Sequence, residues 1–234
     1  MRDQVPNQLT VLRLALAAVF FLVISQYRYG AGPDWAIWTA NAVFCAAAFT
    51  DFLDGYLARR WKVESKFGRI MDPFCDKVLI LGAFIFLCGP RFVDPDRVSA
   101  GDLHHPGNVL PGNMVSGVYP WMVSLMLARE LLVTGLRAEM EGSGHRFGAS
   151  VWGKVKMVTQ SLSVPVVLTL IALDPRAPGR QWMGHAVTLV VYATVIVTVI
   201  SGLPYIGGAA RVARASSIQV KTPVPGTPSG PARS

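Results

Sequence analysis

Six predominantly apolar stretches recur along this chain, each near the about 20 residues that a helix needs to cross a bilayer. They cover 9–25, 35 toward 58, 72–88, 118–139, 151–173 and 184–206. Composition points the same way. Hydrophobic residues make up 52% and charged residues 15%, where a soluble domain carries about 25% charged residues. Such a chain cannot be disordered or collagen-like, and three widely spaced cysteines (Cys45, Cys75, Cys88) make no disulfide or zinc framework. They read as small buried thiols. The expected fold is an all-α integral membrane protein with six transmembrane helices. The first stretch contains Arg13 and has no A-x-A site after it, so it reads as a retained helix and not as a cleaved leader.

Charge sets the orientation. Segments 1–13, 59–69, 137–156 and 211–234 hold fifteen Lys and Arg, whereas the alternate loops hold only Arg28, Arg91, Arg97, Arg176 and Arg180. Positive loops stay cytoplasmic, which puts both termini inside. The net charge of +8 is then accounted for by anionic lipid heads and needs no nucleic acid. Residues 1–215 read as one transmembrane domain. The Pro-, Ser- and Gly-rich tail 216–234 reads as disordered, and 91–117 as an irregular external excursion. Tyr27, Tyr29, Trp35, Trp121, Trp152 and Trp182 read as interface anchors near span ends. His104, His105, His145 and His185 lack the carboxylate spacing of a metal site.

Two spans are too short unless they swallow carboxylates. The run 78–88 is 11 residues, about 16 Å of helix at about 1.5 Å per residue. Extending it backwards takes in Asp76 and Asp72, and completing the second span takes in Asp51 and Asp54. An acidic residue at membrane depth costs on the order of 3 kcal/mol and normally faces a polar cavity or a partner. Asp51 and Asp54 are three apart and Asp72 and Asp76 four apart, so each pair shares one helix face. Gly55, Ala58 and Gly68 leave room for something bulky against the backbone. Converging carboxylates repel one another unless cations lie between them. Hard oxygen donors favour Mg²⁺ or Mn²⁺ over zinc, and a two-metal centre suits phosphoryl transfer. The alternative is that these residues are helix caps or loop charges paired with Arg59, Arg60, Lys62, Lys66 and Arg69. Asp72 before Pro73 has the form of an N-cap followed by proline at the first helical position.

Asp51-x2-Asp54-Gly55-x2-Ala58-Arg59-x8-Gly68-x3-Asp72-x3-Asp76 resembles the full signature of the CDP-alcohol phosphotransferase family. The resemblance implies a six-helix membrane enzyme of the cell (inner) membrane, a homodimer with its active site facing the cytoplasm. It would transfer a phosphatidyl-type group from a CDP-linked lipid to an alcohol and release CMP. Asp51, Asp54, Asp72 and Asp76 would hold two Mg²⁺ or Mn²⁺ ions, with Asp76 as general base. Gly55, Ala58, Arg59 and Gly68 would lie against the CDP-lipid, with Ser65 as a diphosphate contact.

The acceptor is read from other blocks. Asn7-Gln8-Leu9-Thr10-x2-Arg13 opens the first span, with Asn7 and Thr10 assigned to the CDP-lipid. Ala128-Arg129-Glu130 through Thr134-Gly135-Leu136-Arg137 lies in the fourth, and Gly153-Lys154-Val155-Lys156 opens the fifth. These blocks resemble a bacterial branch of the family that uses CDP-diacylglycerol and sn-glycerol 3-phosphate. Arg129, Arg137 and Lys154 are therefore expected to bind the acceptor phosphate, which needs fixed cationic donors. The plainer expectation is that Arg129 pairs with Glu130 or Glu139, Arg137 with Glu141, and that Lys154 and Lys156 snorkel. The rival enzymes share the chemistry but use another acceptor, making cardiolipin, phosphatidylserine or phosphatidylinositol-phosphate. A small divalent-cation transporter is the rival from another class; its weakness is an acidic cluster at one membrane face with no mirrored repeat.

Overall fold

The computed structural model describes residues 5–61, 66–95, 113–142, 151–174 and 177–207. The tail 216–234, Ser65 and most of the 91–117 connection lie outside them. Among the described residues there are six α-helices: α1 (Val5–Ile24), α2 (Asp34–Trp61), α3 (Lys66–Leu87), α4 (Pro120–Gly142), α5 (Val151–Ala172) and α6 (Trp182–Ile200). Each matches one apolar stretch, as expected of segments that satisfy their backbone internally away from water. The stretches at Trp152–Ala172 and Trp182–Gly207 are long and apolar enough to cross a membrane by length and composition.

α1 is central to one half, packing on both α2 and α3; α2 also meets α5, and α6 packs on α5 and α4. Aromatic residues fill the α1 contacts. Phe20 meets Phe44 edge-on, with ring centroids 5.5 Å apart, and Phe21 stacks on Phe86 at 5.4 Å. Gly82 permits this approach, since a Cβ there would overlap the Phe21 ring. Between α2 and α5, Asn41 Nδ2 donates to Thr169 Oγ1 (2.8 Å), whose hydroxyl donates in turn to the Pro165 carbonyl (2.7 Å).

The outer face is not that of a soluble protein, and the interior admits several polar groups. Leu22, Leu131, Leu162 and Leu189 are 67%, 64%, 59% and 71% exposed, while Arg13, Glu130, Gln160, Ser163, Thr198 and Ser201 are buried. Water would penalise that outer face; hydrocarbon would not.

Three connections meet at one end. Tyr29 N donates to the Arg91 carbonyl (2.9 Å), and Tyr29 Oη to Asp174 Oδ1 (3.1 Å). Tyr27 packs on Phe92, and Ser116 Oγ donates to the Leu87 carbonyl (2.6 Å). A short 3-10 turn at Pro90–Phe92 leads into a single antiparallel bridge, Val93 with Met114. The ends of the expected irregular excursion are thus ordered and buried: Phe92, Asp94, Ser116 and Val118 have almost no exposure. This end also corrects the aromatic expectation. Trp35, Trp121, Trp152 and Trp182 are exposed at helix ends as anchors should be, but Tyr27 and Tyr29 are buried as the packing of the closed end. The thiols differ likewise: Cys75 is buried, Cys88 half-buried and Cys45 exposed, because position 45 faces outward from α2.

Candidate active site

α2 is 28 residues long and α3 is 22, about 42 and 33 Å at about 1.5 Å per residue. Both therefore run through the carboxylate positions, as the short apolar runs required. Asp51, Asp54, Gly55, Ala58 and Arg59 are positions of α2; Gly68, Asp72 and Asp76 are positions of α3. Asp72 is no N-cap, since α3 begins six residues earlier at Lys66 and Pro73 falls inside it. A helix tolerates proline there when neighbouring groups satisfy the freed carbonyl. α2 likewise runs on past Arg59 to Trp61.

Of the four carboxylates, Asp51 is the one whose side chain the structure describes. Arg13 Nη2 of α1 lies 2.7 Å from its Oδ1, with the two side chains 1% and 29% exposed. The arginine is sealed in the α1–α2 seam and the carboxylate stands at the edge of accessible space. The side chains of Asn7, Thr10, Asp54, Ala58, Arg59, Asp72 and Asp76 lie outside the described residues, as does Ser65 altogether. The donor chemistry fits a hard divalent cation. Four carboxylate positions sit on two helices that both pack on α1 and α5, and the carboxylate in view is held in place and partly open.

The basic half is built by α3 to α6. Arg129 Nη1 donates to Glu130 Oε1 (2.9 Å) and Nη2 to Ser201 Oγ (2.9 Å). Lys156 of α5 pairs with the same Glu130 oxygen. Gly202 lies under the Arg129 chain: a Cβ there would sit 3.3 Å from Arg129 Cγ. Arg137 Nη2 donates to Tyr205 Oη (2.8 Å) and its guanidinium lies 5.4 Å from that ring's centre. Lys77, next in sequence to Asp76, reaches α4, where its Nζ donates to Thr134 Oγ1 (2.6 Å). Gln160 Nε2 donates to Thr198 Oγ1 (3.1 Å) one turn deeper.

Two of the three expected phosphate ligands therefore converge on the end of α6, Arg129 at Ser201 and Arg137 at Tyr205. Lys154 does not join them; it is exposed, and Lys156 turns inward in its place. The Arg129–Glu130 pair is present as the plainer expectation had it. Lys77, Ser201 and Tyr205 were not singled out by spacing, and Glu130 and Lys156 were read only as an ion-pair partner and a snorkelling lysine. One signal existed: positions 130, 134 and 137 fall on one face of α4. The Lys156 and Ser201 contacts come from other helices and left no local trace.

The sequence profile of the CDP-alcohol phosphatidyltransferase family matches residues 3–200. A protein of Cereibacter sphaeroides named CDP-diacylglycerol–glycerol-3-phosphate 3-phosphatidyltransferase is 34% identical over 196 residues, covering 80% of this chain and 74% of that one. Proteins of the same name from Escherichia coli (strain K12) and Salmonella paratyphi A are each 29% identical over 215 residues, covering 89% of this chain and 96% of theirs. Helices, carboxylate signature and basic cluster all fall within or beside the matched span. This chain belongs to the CDP-alcohol phosphatidyltransferase family.

Proposed function

We propose that the protein transfers the phosphatidyl group of CDP-diacylglycerol to sn-glycerol 3-phosphate, giving phosphatidylglycerophosphate and CMP. The observation that carries this choice of acceptor is the cationic cluster on α3–α6. Arg129 and Lys156 both pair with one carboxylate, Glu130, and Lys77 reaches the same helix at Thr134, with Arg137 two turns along α4 from Glu130. A partly buried surplus of positive charge is suited to an anionic acceptor and idle for a neutral one. The relatives that carry this activity in their names match along most of the chain.

In this reading Asp51, Asp54, Asp72 and Asp76 hold two Mg²⁺ or Mn²⁺ ions. When bound, such ions neutralise the diphosphate and the charge that builds on departing CMP. Gly55, Ala58 and Gly68 leave space for the CDP moiety, with Asn7, Thr10, Arg59 and Ser65 as its polar contacts. Arg129 and Arg137 orient the acceptor phosphate, with Lys156 held beside them on Glu130 in place of the exposed Lys154. Asp76 takes the proton of the acceptor hydroxyl as that oxygen attacks the β-phosphorus. One direct displacement follows, with no covalent enzyme intermediate. The surrounding proposal is six spans with both termini cytoplasmic, a homodimer in the cell (inner) membrane, and an active site open to the cytoplasm. It is supported by the lysine and arginine asymmetry and by the apolar outer face.

An acceptor panel tests the reading. Purified protein with CDP-diacylglycerol and Mg²⁺ should release CMP with glycerol 3-phosphate. Faster release with serine, inositol phosphate or phosphatidylglycerol would replace the acceptor.

A further inference from the structure

An arginine already paired with a carboxylate is usually counted as lost to a substrate. Arg129 does not fit that rule. Its guanidinium has five N–H donors, and among the described residues it spends two, one on Glu130 and one on Ser201. Its Nε is buried without a hydrogen-bond partner, although the side chain is only 10% exposed. Nor is the charge balanced among the described residues. Glu130 meets two cations directly, Arg129 and Lys156, and Lys77 reaches α4 one turn further on, at Thr134. A cluster serving only to hold α4, α5 and α6 together would be better made neutral, because an uncompensated buried charge is strongly destabilising.

We propose that Glu130 is a positioning residue of the acceptor site. Its carboxylate fixes the Arg129 guanidinium from one side while Ser201 fixes it from the other, and the second N–H of each terminal nitrogen is left to an incoming phosphate. Lys156 keeps the carboxylate from swinging away, and Gly202 keeps α6 close enough for Ser201 to reach. The ion pair and the phosphate contact are then successive parts of one arrangement. This rests on the acceptor proposed above and adds a residue, Glu130, whose own charge repels that acceptor.

That repulsion makes the test sharp. Were Glu130 only a negative charge near the site, Glu130→Gln would strengthen attraction for an anion and lower the KM for glycerol 3-phosphate. A positioning role gives the opposite sign: the KM should rise about tenfold or more, the usual scale for a hydrogen bond to a charged group. The KM for CDP-diacylglycerol should stay within about twofold, the experimental noise of additive sites. In the double variant Arg129→Gln/Glu130→Gln, the acceptor KM should match that of Arg129→Gln alone, since Glu130 acts through Arg129. A lowered or unchanged acceptor KM, an equal change in both KM values, or fully multiplicative effects in the double variant would overturn the role. If Glu130→Gln fails to yield a folded protein by size-exclusion and thermal unfolding, Ser201→Ala removes the other anchor of the same guanidinium. It should raise the acceptor KM selectively, and no rise would overturn the proposal. Wild-type protein runs alongside: no turnover with glycerol 3-phosphate would reject the acceptor and this role with it, whereas normal wild-type turnover with an unmoved variant rejects the role alone.

Discussion

Arg13 carries a full charge into the α1–α2 seam and meets Asp51 there, so the first carboxylate of the signature is held from behind before any ligand arrives. The motif spacing in the sequence identified Asp51 and, in a separate block, Arg13, but not their pairing, because residues 38 positions apart meet only through helix packing. The acceptor side divides in the same way. Arg129 and Arg137 were legible as a pair eight apart, while Ser201 and Tyr205, which hold them, were not. Replacing Arg137 with Ala should raise the apparent KM for glycerol 3-phosphate several-fold more than that for CDP-diacylglycerol. Steady-state rates with each substrate varied in turn would check it, and an equal change in both would assign Arg137 to folding. Asp76→Asn should retain CDP-diacylglycerol binding and lose turnover by on the order of 10²-fold, the usual share of general-base help. A chirally labelled phosphorus should be inverted by the wild type, as a single displacement requires; retention would demand an enzyme-bound intermediate.

Helix number and placement among the described residues followed from the apolar stretches, because a long apolar segment has few ways other than a helix to satisfy its own backbone. Helix ends followed less well. α3 starts at Lys66 and not at Asp72, since Asp-Pro is a helix-start signal in water and the tertiary packing that carries a helix through proline is invisible locally. Tyr27 and Tyr29 were misplaced for a related reason. Aromatic residues near a span end face the interface unless the connection folds back, and here Tyr29 is claimed by Arg91 and Asp174. What the sequence could not convey about pairing is written in small residues. Gly82 lets the Phe21 ring lie against α3, and Phe21 is braced by Phe86 and Phe20, so the ring has little freedom to retreat. Gly82→Val should destabilise the fold by about 1–3 kcal/mol, the range for overpacking a filled contact. A lower thermal unfolding midpoint in detergent would register it, and an unchanged midpoint would show that α1 and α3 are not in contact there.

Taken whole, the molecule is closed at one end and chemically charged from its middle to the other. The loops joining α1 to α2, α3 to α4 and α5 to α6 interlock, whereas Asp51, Lys156 and Ser201 lie well away from them along their helices. If the carboxylate positions hold metal ions, chelation should abolish CMP release and added Mg²⁺ or Mn²⁺ should restore it. Asp51→Asn, Asp54→Asn and Asp72→Asn should each lose most activity and weaken Mn²⁺ binding seen by electron paramagnetic resonance. Near-normal turnover in any two would reject the two-metal arrangement. The closed end has a practical consequence of its own. Val93 and Met114 pair across the bridge, with Asp94 N donating to the Asn113 carbonyl (2.8 Å) and Val115 N to the Phe92 carbonyl (2.9 Å). Chain entering and leaving 96–112 is therefore clasped at its neck, and the cost of lengthening such a loop grows only with the logarithm of its length, about 0.6 kcal/mol per doubling. A peptide epitope spliced into 96–112 should leave both expression and CMP release near wild type, and in intact spheroplasts an antibody should reach it from outside. The same epitope placed in 143–150 should be reached only after the membrane is opened. The clasp thus makes this neck a handle by which the enzyme can be labelled, immobilised or oriented without touching the end proposed to hold its active site.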